Sequence, residues 1–208
     1  MLMALGVAGC YAKSDVADAF ANSPRAVFPL LDSNTRLDMI DYFKNGLSTP
    51  SQNALEGKSQ ILELTPEYMN IKMTDSSTAQ LIMLEDGRQE LIALINTVAA
   101  PGLDSNMKFY IYKDGSWGLI DAKGTNWLFS KPGWKEWLTA DGQSHKAEVE
   151  MQVPFMLVSY KYDPASGQLV LTNNISKFLD KEVYESISPY LVQQLVYTWN
   201  GGKFERKK

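Results

Sequence analysis

From Ser59 onward the apolar residues of this chain recur at every second position, and that spacing limits the fold more than any other feature. Leu62 and Leu64 alternate with polar neighbours, and Met69, Ile71 and Met73 stand opposite Tyr68, Asn70 and Lys72. Leu81 and Met83 follow, then Leu91, Ala93 and Ile95, then Met107, Phe109 and Ile111. Successive side chains of a strand point to opposite faces, so this alternation predicts strands with one face on a core. Asp86-Gly87 and Asp114-Gly115 read as hairpin turns, because glycine takes positive φ without steric cost. The segment is therefore an antiparallel meander.

Helical spacing precedes it. Val16, Ala19 and Phe20 predict a helix that Pro24 interrupts. Thr35-Arg36-Leu37-Asp38 opens a second helix in the manner of a capping box, with Asp for the usual Glu. Leu37, Ile40, Met39 and Phe43 give its apolar face, and Gly46 after Asn45 stops it. The second half repeats the order less clearly. Pro132–Leu138 predicts a short helix carrying Trp134 and Trp137. Ala147, Val149, Met151 and Val153 alternate with Glu148, Glu150 and Gln152, which predicts a half-buried strand. Two further strands, Leu157–Tyr162 and Gln168–Thr172, flank the turn residues Asp163 to Gly167. Ile175 to Ile187 returns to helical spacing, and Leu195–Trp199 pairs with Phe204 across Asn200-Gly201-Gly202. The expected fold class is α+β: a curved antiparallel sheet built from two helix-plus-meander halves, 20–125 and 126–208, with the helices on one face.

Cys10 is the only cysteine among the 208 residues, so no intramolecular disulfide or cysteine-based zinc site is expected. It closes Val7-Ala8-Gly9-Cys10 at the end of a short apolar run, the spacing of a lipoprotein signal. Two processing readings stand side by side over residues 1–12. One cuts before Cys10, which then carries lipid; the other cuts after Ala12 and discards it. The absence of a positive n-region leaves room for a true start upstream of Met1. The run is too short to span a bilayer, which takes about 20 apolar residues. The remaining residues, 13–208, are expected to form one domain. Net charge is −4 with both signs interspersed, which disfavours nucleic-acid binding.

Chemistry is sparse. No nucleophile elbow, phosphate loop, zinc-protease helix or dinucleotide fingerprint is present, and no metal or cofactor is expected. The lone His145 lies in the polar turn Asp141–Lys146 and reads as an exposed loop residue. Asp38 and Asp41 are three apart on one helix face, which admits a paired-carboxylate site for glycoside hydrolysis. Against that, Asp38 is placed in the first helical turn, where the dipole favours a negative charge, and Arg36 offers compensation. Asp32 just before the helix is a candidate calcium ligand, but the spacing follows no known ligand rule.

Aromatic density is the stronger signal. Phe109, Tyr110, Tyr112, Trp117, Trp127, Phe129, Trp134 and Trp137 fall in one stretch. Tyr110 and Tyr112 point away from the Phe109 face, so one set is either an exposed platform for a sugar or partner protein, or core beneath a covering helix. The candidate binding residues are Tyr110, Tyr112, Trp117 and Trp134.

Several strings are also familiar. Ser23-Pro24, Val27-Phe28-Pro29-Leu30-Leu31 and Asn34-Thr35-Arg36-Leu37-Asp38-Met39-Ile40-Asp41-Tyr42 come first. Leu55–Ser59, Leu64–Ile71, Asp104–Tyr110 and Leu195–Phe204 follow. Together they resemble, over roughly 20 to 204, a family of secreted Bacteroidales proteins with no assigned function. Arg36 to Tyr42 is the most specific part. The resemblance implies export and shifts the processing choice toward cleavage after Ala12. Helices over antiparallel strands are also similar to β-lactamase-inhibitor-protein-like folds of envelope proteins, a fold-level analogy that supplies no function. The expected protein is a non-enzymatic module of the envelope (periplasm or outer membrane), or a secreted one, that binds a partner protein or a glycan. The alternatives are a carboxylate hydrolase of glycans and a structural assembly lipoprotein.

Overall fold

The computed structural model describes residues 14–99, 101–121 and 127–207. The two processing readings at Cys10 lie outside these residues. The chain opens with helix α1 (Val16–Ala21), capped by the Asp15 carboxylate, which accepts from the Ala17 amide at 2.7 Å. Helix α2 (Ser33–Lys44) begins two residues before Thr35, so the expected capping box is replaced. Asp32 is the cap instead: its Oδ1 accepts from the Thr35 amide at 2.8 Å. That hydrogen bond is the main reason its carboxyl lies below the usual carboxylate range. Asp38 consequently sits in the second turn, and Leu37 faces solvent while Arg36, Met39 and Ile40 are buried. Gly46 ends α2 with φ of 69°. Its amide donates to Phe43 and that of Leu47 to Tyr42, the double bond of a Schellman motif.

Arg36 holds the two helices together. It is 4 % exposed. Its Nη1 donates to the Leu31 carbonyl at 2.7 Å, and Nη2 donates to the Ser23 and Ala21 carbonyls at 2.8 and 3.2 Å. These carbonyls belong to the chain that leaves α1 and returns to α2. Compensation of Asp38 is therefore not its role.

Seven strands follow in chain order, each antiparallel to the next: β1 (Ser51–Gln52), β2 (Lys58–Leu64), β3 (Tyr68–Thr74), β4 (Ser77–Glu85), β5 (Glu90–Ala99), β6 (Leu103–Lys113) and β7 (Ser116–Leu119). The β6–β7 hairpin turns on Asp114 and Gly115, at φ 48° and 78°, the positive pair that a two-residue type I′ turn requires. A bulge between Ile61 and Glu63 shifts the phase of β2. Ile61 is therefore buried beside the helices, and Leu62, expected inside, is 46 % exposed.

The remaining strands make a second sheet, in the order β11–β10–β9–β8: β8 (Val158–Asp163), β9 (Gln168–Asn173), β10 (Gln194–Trp199) and β11 (Phe204–Arg206). One curved sheet was expected; two are found. Met69, Ile71, Leu81, Ile92 and Tyr110 face α1 and α2, whereas Tyr68, Ile82, Leu91, Ala93 and Phe109 meet Tyr160, Leu169, Leu195 and Phe204 of the second sheet. The seven-stranded sheet is thus covered on both faces, and the second core draws on both expected halves.

The expected strand Ala147–Val153 is helix α4 (Lys146–Gln152), preceded by α3 (Trp134–Trp137). Only Val149 and Val153 of that stretch are buried, four apart, while Met151 is 80 % exposed. Ala, Glu, Met and Gln are strong helix formers, and their propensity outweighs a weak two-residue alternation. The expected helix across Ile175–Ile187 is divided into a 3₁₀ turn (Ile175–Lys177) and α5 (Lys181–Ile187), with Phe178 exposed between them.

Edge strand β8 lies across the seven-stranded sheet, and its outward amides are met by side chains. Val158 donates to Asp104 Oδ1 at 3.1 Å, Tyr160 to Ser105 Oγ at 3.0 Å and Tyr162 to Gln80 Oε1 at 3.0 Å. Gln80 Nε2 returns a bond to the Tyr160 carbonyl at 3.1 Å. Side chains here substitute for a neighbouring strand, which closes an edge that would otherwise template association.

Candidate functional site

The crossing of β8 over β6 leaves a groove of about 290 Å³ against α3. Its position follows from how α3 is held. Trp137 is 2 % exposed and anchors the helix in the second core, and its carbonyl accepts from the Val192 amide at 2.9 Å. At the other end Glu136 Oε2 accepts from the Gly133 amide at 2.9 Å, fixing the entry of the helix. Pro132 cannot donate to the backbone and leaves that entry extended. Trp134, one turn before Trp137, is left half-buried at the groove.

Four aromatic side chains line the groove: Trp134, Trp137, Phe155 and Tyr160. Phe155 is 47 % exposed and its ring lies 4.7 Å from that of Phe178. Asp104 and Lys131 supply charge at the rim. Tyr160 is only 4 % exposed, and its ring packs 5.9 Å from Phe129. It lines the groove beside Trp134 and Phe155.

The sequence-predicted residues divide. Tyr110 and Tyr112 are 7 % and 4 % exposed and belong to the core beneath α1, so they form no exposed platform. Trp117 joins them, its ring 5.0 Å from Tyr110 and 6.3 Å from Tyr112. Its indole Nε1 donates to the Ala19 carbonyl at 3.0 Å. The three are together, but they fasten α1 to the sheet. Trp134 alone of the four lies on an accessible groove. Asp38 and Asp41 are exposed on α2, and Asp41 Oδ1 accepts from Asn45 Nδ2 at 2.9 Å. Neither lines any of the described grooves. His145 is half-buried and not a free loop residue: its ring stacks on Tyr190 at 4.2 Å and 12°. Tyr160 and Phe155 carried no local signal, since what marks them is what they meet in three dimensions.

A family model described as "Protein of unknown function (DUF3256)" matches residues 9–204. The chain belongs to the DUF3256 family. Among solved structures, a domain of an uncharacterized protein from Porphyromonas gingivalis W83 is similar, with TM-score 0.77 and 19 % identity. The likeness covers 94 % of this chain and 100 % of that one, and at this identity it speaks to the fold alone. No curated protein matches the sequence.

In this DUF3256 chain several phenols besides Tyr160 are held protonated by burial. Burial is the first cause of the raised values at Tyr68, Tyr110, Tyr112, Tyr162 and Tyr197. Burial, then the charges of Asp104 and Tyr197, push Tyr160 up to about 12. In the unfolded chain these groups ionise near pH ~10. A raised native value adds stability that is complete below the unfolded value and lost as pH climbs toward the native one. Stability is therefore expected to fall between about pH 10 and 12, by about 1.4 kcal/mol per pH unit for each phenol still protonated in the fold. Denaturant titrations at stepped pH check this: a midpoint unchanged across that window would contradict the burial of these phenols.

Proposed function

We propose that this chain is a non-enzymatic envelope or secreted protein that binds a glycan in the groove between α3 and β8. Export rests on the apolar run ending at Val7-Ala8-Gly9-Cys10. Mass spectrometry of the mature N-terminus separates a chain beginning at Lys13 from one carrying an acylated Cys10. No described helix is long and apolar enough to cross a membrane.

The observation that carries the glycan reading is the half-buried Trp134 indole in a groove that it lines with Phe155 and Tyr160. Sugars present an apolar ring face flanked by hydroxyls. A half-exposed indole stacks on the first, and a fixed phenol with rim charges satisfies the second. The hydrolase alternative draws no support from Asp38 and Asp41, which stand on an open helix face with Asn45 as the neighbour of one.

Binding is tested by screening the full chain on an array of neutral and acidic oligosaccharides, followed by calorimetry with the best-bound one. Trp134→Ala is expected to weaken that affinity about tenfold or more. Tyr160→Phe keeps the ring packing and is expected to weaken binding roughly 2–10-fold, the value of one hydrogen bond, with unchanged thermal stability. Equal affinity in both variants, or an array without signal, would sink the proposal. Capture of an envelope protein that is released by Trp134→Ala would replace the glycan by a protein partner.

A further inference from the structure

The groove has a second lobe. On the far side of the Lys131–Pro132 wall lies a shallower depression of about 740 Å³, whose lining includes Trp127, Glu136, Tyr197, Lys203, Glu205 and Arg206. Lys131 and Pro132 line both lobes. Trp127 is 49 % exposed, so an indole stands on each side of the wall.

Its charges do not cancel. Lys203 is engaged by Glu205 at 2.9 Å. Glu136 accepts from the Gly133 amide at 2.9 Å and keeps its negative charge within the lobe. Lys131 and Arg206 are exposed and have no carboxylate within ion-pair distance among the described residues. A net positive lobe is a local exception in a chain of net charge −4. Arg206 stands opposite Tyr197 across the β10–β11 pair, which puts both on one face of the sheet. Tyr197 is 5 % exposed and lines the lobe. The lobe therefore carries three cations, Lys131, Lys203 and Arg206, against the two carboxylates Glu136 and Glu205, a net positive charge beside an exposed indole.

We infer that the glycan is anionic, with a uronate carboxylate or a sulfate seated at Lys131 and Arg206 and an adjoining sugar ring on Trp127. The inference rests on the glycan reading above and narrows it to a substrate class. A neutral sugar would leave both cations without a counter-charge, whereas an anion turns them into charge-assisted hydrogen bonds. Recognition by solvent-accessible charges is screened by salt, since the Debye length falls from about 10 Å at 0.1 M to about 3 Å at 1 M.

The test compares binding of galacturonate hexamers, chondroitin sulfate hexasaccharides and neutral cellohexaose to the full chain and to the Lys131→Gln/Arg206→Gln double variant. Both residues are exposed, so the variant is expected to melt with the parent protein. The parent should bind one of the two anionic probes at least about tenfold tighter than cellohexaose. That preference should vanish in the double variant and shrink as salt rises. The better of the two anionic probes identifies carboxylate or sulfate. Equal binding of cellohexaose, or an unchanged preference in the double variant, would overturn the anionic inference and leave the glycan reading standing. Binding of none of the three, in a protein that also gives no signal on the array, would overturn both.

Discussion

Replacing Arg36 by alanine is expected to destabilise the protein by about 3–5 kcal/mol, a large share of the 5–15 kcal/mol typical of a folded domain. The guanidinium is buried without a carboxylate ion pair and lies instead among the carbonyls of Leu31, Ala21 and Ser23. Burial lowers its affinity for the proton, and the nearby charge of Asp32 opposes that; arginine remains charged throughout. Truncation recovers the desolvation of one cation but leaves three inward carbonyls to find water, each worth about 1–3 kcal/mol when unmade. Arg36→Lys is expected to recover less than half, because an ammonium lacks the planar fork that reaches the three acceptors together. Urea titration reads this as a lower midpoint with an unchanged slope. A loss below about 1 kcal/mol would mean that the α1–α2 connection holds without it.

Gln80→Leu is expected to cost about 3 kcal/mol although it adds apolar surface and keeps nearly the same volume. Gln80 is 6 % exposed and serves both sheets. Its Oε1 accepts from the Tyr162 amide and the Tyr68 hydroxyl, and its Nε2 donates to the Tyr160 carbonyl. Leucine leaves all three groups unpaired inside the junction and reopens the edge of β8. A second consequence should accompany the stability loss: concentration-dependent association of the variant, visible by light scattering, as the freed edge pairs with another chain. Gln80→Glu is the informative control. It keeps the acceptor but sets a buried carboxylate against the Tyr160 carbonyl, so it should also lose stability and regain part of it as falling pH protonates the carboxyl. A leucine variant as stable as the parent would show that the sheets are held by apolar contact alone.

How far the sequence carries is clearest at the strands. Met69, Ile71 and Met73 were placed on one face by their spacing, and they do line the helix-side core. Alternation at every second position does not show that the seven-stranded sheet is covered on both faces. Leu81-Ile82-Met83-Leu84 and Leu91-Ile92-Ala93-Leu94-Ile95 are unbroken apolar runs, buried on both faces, and such runs are the mark of a sandwiched strand. Of the two readings open for Tyr110 and Tyr112, platform or core beneath a helix, the structure shows the core. With α1 on one face and the second sheet on the other, Phe109 and Tyr110 are both core. Leu62 misled for a different reason, since a single bulge exchanged its face with that of Ile61. Asp32 was visible as an acidic residue before a helix, but its role as the cap depended on where the helix starts.

At the candidate site Trp134 was legible because tryptophan is rare and clustered here. Tyr160 was not, because its position in an alternating strand is that of any core tyrosine. What distinguishes it is the groove it lines with Trp134 and Phe155, and that is a property of the packed structure. The same holds for Lys131 and Arg206, which lie far apart in sequence and meet only because β11 ends beside the segment that leads into α3.

The location of the binding site is tested most directly by hydrogen–deuterium exchange of the full chain, with and without a saturating concentration of the oligosaccharide that binds best. Ligand-induced protection is expected in peptides covering 130–137 and 155–162, with none in peptides covering 107–113 and 33–45. Protection confined to α2 around Asp38 and Asp41, with no change at Trp134, would contradict the placement of the site.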